Sequence, residues 1–332
     1  MHVPVAFGLL KRSRFFVLLA GVALGAGPVA AQAPLVTQKP LTIIVGTAPG
    51  SAPDQIARLI GEELKTRLRQ NVLIESRPGA GGIVAAMAAK SAPADGNTLL
   101  FANAAMAVVT PLTYRAANYD MARDFEIIGM VANTPMVIAA NPAKGPKTLA
   151  EAVELGKKAP DTIAMGSTAR GSIPHLTGEL LGQLTGGTFR QVSMSSSGQG
   201  VQAIVNGDTL MTVDGLGQLQ PLMRSGRIRP LAITADRALP GLESIPLAKD
   251  IVPGLVVSGW FMLAAPKGTP QARVREINRV VNEIVAAPEV VQKLAVTATY
   301  PLGGSVQDAK RFYADEKKTW SSAVQKVGLA RE

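Results

Sequence analysis

The chain has 332 residues, of which 47% are hydrophobic and 17% charged. This excludes a disordered polypeptide and leaves room for roughly two domains of ~150 residues, each with its own core. Lys and Arg exceed Asp and Glu by ten, yet they are scattered among acids and only 4% of residues are aromatic, which argues against a nucleic-acid groove with clustered cations and stacking rings. Cysteine is absent, so neither a disulfide framework nor a thiolate metal site is available.

The N-terminus reads as a leader. Lys11, Arg12 and Arg14 precede an apolar run from Phe15 to Ala26, and small residues follow at Val29, Ala30 and Ala31. That is the pattern of a secretory signal peptide, with a run too short to span a membrane. It predicts a periplasmic protein cleaved near Ala31, whose mature part keeps seven of the ten excess positive charges.

Beyond the leader, short apolar strands alternate with amphipathic helices. "LTIIVGT" is a strand, followed by a helix from Asp54 with Ile56, Leu59, Ile60, Leu64 and Leu68 at helical spacing. "NVLIES", a helix over 83–90 and "NTLLFAN" continue the series. After "TLAEAVELGKK" the alternation restarts: strands "TIAMGS", "FRQVSM", "TLMTVDG" and "RPLAIT" are interleaved with helices "IPHLTGELLGQLT", "GQGVQAIVNG" and "LQPLMRSG". "GWFMLAAP" leads into three C-terminal helices, the last over 306–327. The pattern predicts an α/β fold with parallel sheets and loops gathered at one sheet edge. Terminal helices need a sheet to cover, so the chain is expected to return to its first domain. Domain 1 is then 32–137 plus 258–332 and domain 2 is 138–257, with crossings near Thr134 to Asn141 and Thr234 to Trp260. No repeat at fixed period is evident.

Four Gly- and Ser-rich turns each precede a helix: "TAPGSAPD" (47–54), "RPGAGG" (77–82), "GSTARGSIPH" (166–175) and "SSSGQG" (195–200). Singly, each is what any strand-to-helix turn uses, and Ser51 with Asp54 has the spacing of a capping box. Together, two loops from each half could line a cleft with hydroxyls and free amides. Catalytic readings have little to work with. His175 is the one histidine of the mature chain, no G-x-S-x-G elbow occurs, and "GTAPGS" lacks the Gly-Lys-Ser/Thr of a phosphate loop. Neither a metal nor a cofactor is expected.

The ordered set "KPLTIIVGTAPGSAPDQIAR", "VLIESRPGAGGIVAAMAAKSAPADGNTLL", "YDMARDFEIIGMV", "GSTARGSIPHLTGELL", "GQGVQAIVNGDTLMTVDG", "SGRIRPLAIT" and "SGWFMLAAPKGTP" resembles the extracytoplasmic solute-binding proteins of the tripartite tricarboxylate transporter family. The resemblance implies a type II periplasmic-binding-protein fold, in which two α/β domains on a two-strand hinge close over a small organic anion: a di- or tricarboxylate, an aromatic carboxylate or an amino acid. It also implies delivery to membrane permease subunits by a monomeric receptor. The turn from Thr47 through Pro49 to Asp54 matches the family loop that holds a ligand carboxylate. Ser167, Thr168, Gly171, Ser172 and His175 match the loop of the second domain. "VSMSSSGQG" departs from the Pro-Tyr-Lys-Gly run common in the family, and Arg170 stands where a small or amide residue is usual.

These matches give an expected ligand set. Gly50, Ser51 and Ala52 offer amides at a helix N-terminus, with Asp54 as a cap. Ser167, Thr168, Ser195 and Ser196 form the opposite lip. Arg170 pairs with a second carboxylate or is an exposed loop arginine, and Asn103 and Asp214 stand at strand ends. The alternatives are an exported hydrolase or isomerase using His175 as base, and a ligand-presenting subunit of a sensor.

Overall fold

The computed structural model describes residues 39–168, 170–326 and 328. The expected leader, its end near Ala31 and the last expected helical residue, Val327, lie outside them. The elements run β1 (Leu41–Val45), α1 (Ala52–Leu68), β2 (Val72–Ser76), α2 (Ile83–Lys90), β3 (Thr98–Asn103), a π-helical turn (Ala105–Val109), α3 (Thr110–Thr113), α4 (Met121–Asp124) and β4 (Phe125–Ala140). There follow α5 (Leu149–Lys158), β5 (Ala164–Ser167), α6 (Ile173–Thr185), β6 (Arg190–Ser193), α7 (Ser197–Asn206), β7 (Met211–Gly215), α8 (Leu216–Arg224) and β8 (Arg229–Ile233). The chain then forms α9 (Ala248–Ile251), β9 (Ser258–Pro266), α10 (Gln271–Ala286), α11 (Pro288–Val296), β10 (Tyr300–Pro301) and α12 (Val306–Lys326).

The strands form two sheet halves joined through one long strand. In the first half the order is β2-β1-β3-β9-β4, and in the second β4-β7-β5-β6, with β8 and β10 also paired to β4. The pairings β1–β2, β1–β3, β5–β6 and β5–β7 are parallel, as helical crossovers require. The expectation of parallel sheets does not hold at β9, which is antiparallel to β3 and β4, or at β4, which is antiparallel to β7 and β8. The reason is topological: β9 re-enters the first half from the second, so it runs against its neighbours.

Helix α1 buries Ile56, Ala57, Ile60, Leu64 and Leu68 against β1 and α10, and this stripe forms one face of the first core. β4 changes partners in mid-strand: Asn133 and Pro135 pair with β9, while Val137 to Ala140 pair with β7 and β8. The chain returns through Thr234, which is fully buried. Its amide donates to the Met136 carbonyl, its hydroxyl donates to the Val257 carbonyl, and its carbonyl accepts from the Val257 amide. One threonine thus ties the outgoing crossing to the returning one.

Candidate functional site

A cavity of about 690 Å3 opens where the two sheet halves meet. Its walls come from the turn before α1, the end of β3, the middle of β4, the turn before α6, the ends of β7 and β9, and the corner after α11. Strand ends followed by helix N-termini are the part of an α/β fold where backbone amides point at a ligand.

Two of these walls are built alike. Thr47-Ala48-Pro49-Gly50-Ser51-Ala52-Pro53-Asp54 and Thr168-Ala169-Arg170-Gly171-Ser172-Ile173-Pro174-His175 share Thr, Ala, Gly, Ser and Pro in register. The shared Gly, Ser, Thr and Pro are placed alike in both, although only Ser172 also caps its helix by accepting from the His175 amide. Gly50 and Gly171 take φ of 80°, the left-handed region open to glycine. Ser51 and Ser172 are N-caps with nearly equal backbone angles. The Ser51 hydroxyl donates to Thr47 Oγ1 at 2.9 Å, and the Thr168 hydroxyl donates to Ser172 Oγ at 2.8 Å. The Gly50 amide donates to Asp54 Oδ2 at 2.8 Å, and the Gly171 amide to His175 Nδ1 at 3.4 Å. Pro53 and Pro174 fit the first helical turn because its amides need no intrahelical partner.

This accounting corrects the amide set. Gly50 spends its N–H on Asp54 and Ser51 spends its own on the Ala48 carbonyl. Among the described residues, the amides of Ala52 and Asp54 on α1, and of Ile173 on α6, have no hydrogen-bond partner. The expected capping box is also displaced: Ser51 makes no side-chain cap because its hydroxyl turns to Thr47, while Asp54 reaches back one residue further, to Gly50.

Asp54 is 1% exposed. Burial alone would raise its pKa, but hydrogen bonds from Arg58, the Gly50 amide and Ser76 outweigh that and hold it below the usual aspartate range. Arg58 grips both of its oxygens, at 2.9 and 3.1 Å. Asp54→Asn is expected to lower stability at neutral pH by about 1–3 kcal/mol, measured by urea denaturation. Because the native pKa is depressed, the wild-type advantage is present above the ordinary aspartate range and fades as pH falls through the lowered value. An equal deficit in acid and at neutrality would contradict the assignment.

Thr47, Gly50, Ser51, Ala52, Asn103, Thr168, Ser172 and Asp214 line the cavity. Pro49, Ser167, Arg170, Gly171, His175, Ser195 and Ser196 do not. Pro49 and Arg170 are exposed beside the lips. Ser167 is buried, its hydroxyl turned to the Thr168 carbonyl. Ser195 binds Gln199 Oε1 and Ser196 caps α7, so Ser197 takes the lining place. His175 is buried behind its lip, and burial followed by the nearby Arg170 charge lowers its pKa. Its Nδ1 already accepts the Gly171 amide, which leaves that nitrogen no role as a base in the cavity.

The third wall had no local signal. Gly259, Trp260 and Phe261 of β9, Gly217 and Gln218 of α8, Val296 at the end of α11, and Thr297 and Thr299 beyond it all line the cavity. Thr299 Oγ1 lies 3.2 Å from both Thr134 Oγ1 and Thr297 Oγ1, forming a short run of hydroxyls at the crossing strands. Among the described residues no Lys, Arg or His lines the cavity, and no group of metal-ligating side chains occurs anywhere. No helix of the described residues is long and apolar enough to cross a membrane.

Comparison with known proteins agrees with this architecture. The sequence is 31% identical to a UPF0065 protein of Bordetella bronchiseptica, over 97% of this chain and 96% of that one. The fold superposes with a TM-score of 0.77 and 30% identity on a Rhodopseudomonas palustris protein solved with adipate, covering 88% of this chain and 98% of that one. MatC from the same organism, with bound malate, gives 0.73 and 26%, covering 86% and 98%. Residues 56–329 match the tripartite tricarboxylate transporter family receptor, and the chain belongs to that family.

Proposed function

We propose that the protein is a periplasmic receptor that captures a small organic acid in the cleft and delivers it to the membrane permease subunits of a tripartite transporter. The observation that carries this reading is the pair of like-built lips facing one cavity, each ending in helix amides that no protein group uses. The amides of Ala52 and Asp54 on one side and Ile173 on the other would take the carboxylate oxygens, with the hydroxyls of Thr47, Ser51, Thr168 and Ser172 close by. Charge-assisted bonds of this kind are about twice as strong as neutral ones, and each helix dipole adds about 0.3–1 kcal/mol for an anion at its N-terminus. The ligands seen in the adipate and malate complexes are acids of suitable size.

In this reading the segments 32–137 plus 258–332 and 138–257 act as two lobes. A ligand touching both stabilises their closed arrangement through contacts the open one lacks. The receptor works as a monomer, uses no cofactor and leaves its ligand chemically unchanged. Export requires removal of the leader near Ala31. The test is a thermal-shift screen of mono-, di- and aromatic carboxylates on the mature chain. An acid at ~100 times its Kd is expected to add about 2.7 kcal/mol of stability. Indifference to every acid, alongside stabilisation by a neutral solute, would defeat the proposal.

A further inference from the structure

The receptor reading leaves one group in the cleft unexplained. Asp214, near the end of β7, is the one charged side chain that lines the cavity among the described residues, and it is 7% exposed. Only neutral donors hold it: the Gly215 amide at 2.7 Å from Oδ1 and the Ser197 hydroxyl. No cation among the described residues is paired with it, unlike Asp54, which has Arg58. Burial pushes its pKa up, partly offset by those two donors. For a pocket built to hold anions this is a poor arrangement, because a bound carboxylate and the Asp214 carboxylate would repel each other with no cation in the wall to separate them. A buried charge is tolerated where something neutralises it, and here the wall does not supply the neutralising group. The neutralising group is then a proton on Asp214 itself or a cation brought by the ligand, and only a ligand cation lets Asp214 stay ionised in the wall.

Resting on the receptor reading, we infer that Asp214 sets the ligand class: the cleft selects a carboxylate that also carries a protonated amine, seated against Asp214, over the same acid without the amine. The lips receive the carboxylate and Asp214 receives the ammonium, so the two charges of the ligand are met from different walls. Met136, Ile173, Phe261 and Val296 supply an apolar surface for whatever joins them. Phe261 is kept in place by its stack on Phe101, with centroids 5.5 Å apart.

The experiment is calorimetry on the mature wild-type chain with matched pairs: L-glutamate and glutarate, L-aspartate and succinate, L-phenylalanine and hydrocinnamate. The expected result is that the aminated member of at least one pair binds about tenfold or more tightly than its partner, and that Asp214→Asn erases this preference. The wild-type comparison stands alone should the variant fail to fold. A plain acid bound as tightly as its amino counterpart in every pair that binds overturns the role of Asp214 and leaves the receptor reading intact. Failure of all six overturns the inference, and failure of the wider carboxylate screen with it removes the receptor reading as well.

Discussion

Truncation of Trp260 to alanine is expected to cost about 3–5 kcal/mol of stability, the largest effect of any single substitution at the cleft wall. Trp260 is fully buried at the start of β9, where the chain returns to the first sheet half. Its ring meets Phe312 of α12 edge-on, with centroids 5.6 Å apart and planes at 84°. Its Nε1 donates to Glu316 Oε2 at 2.6 Å, and the same oxygen accepts from Trp320 at 2.9 Å. Alanine would therefore leave a large void and remove one of two donors from a half-buried carboxylate. Trp260→Phe separates the two losses. It keeps most of the ring but leaves Glu316 short of a donor, at a cost of about 1–3 kcal/mol.

The pH dependence identifies the hydrogen bond. Burial raises the Glu316 pKa, and the bonds from Trp260 and Trp320 restrain the rise. For a carboxyl with a raised native pKa, stability is full below the unfolded value and is lost as pH climbs through the native one. Losing an indole donor raises the native value further. The deficit of Trp260→Phe is thus expected to be larger at neutral pH than below the ordinary glutamate range, by chemical denaturation at both. A deficit independent of pH would mean that Trp260 does not stabilise an ionised Glu316.

Much of the fold was legible because its elements carry their own period. The stripe Ile56, Ile60, Leu64 and Leu68 on α1 and the apolar run of β1 need no partner to be read. β4 was not legible as one 16-residue strand, because Pro135 in its middle reads as a break. In the structure Pro135 sits where β4 exchanges β9 for β7 and β8, close to the change of ladder, so a missing N–H is tolerated there. The lips were found as turns, yet their shared Thr-Ala-x-Gly-Ser-x-Pro pattern went unread, although it was present in the residues. Recurrence at two places has no period, and only the common geometry shows that it matters. The Gly50 amide was misassigned because a local acceptor, Asp54, lies four residues on and claims it first. The corner at Val296 to Thr299 reaches the cleft only through the return of the chain, which no local pattern encodes.

That corner also sets the second large effect. Valine at Gly217 is expected to weaken ligand binding by about 5- to 150-fold. Gly217 lies in the first turn of α8 with no positive φ, so space is what the position demands there, not backbone freedom. A Cβ would lie 2.3 Å from the carbonyl oxygen of Thr297 and 3.1 Å from its carbon, and these are backbone atoms. The corner cannot recoil one residue at a time. The amides of Thr297 and Thr299 bond to the Leu294 carbonyl, that of Ala298 to the Ala295 carbonyl, and Ala298 is already held at φ of 49°. The open route is separation of α8 from the corner, and since both line the cavity, that movement widens the cleft. Overpacking of this size costs about 1–3 kcal/mol. Taken entirely from the ligand-bound arrangement, it corresponds to a loss of about 5- to 150-fold in affinity. Calorimetric titration paired with a melting curve locates the cost: weaker binding with a nearly unchanged Tm places it in cleft closure, and a lower Tm with intact binding places it in general strain. Wild-type behaviour in both measurements for Gly217→Val would show that α8 and the corner do not touch in solution, and the cleft would then lack the wall that joins its two halves.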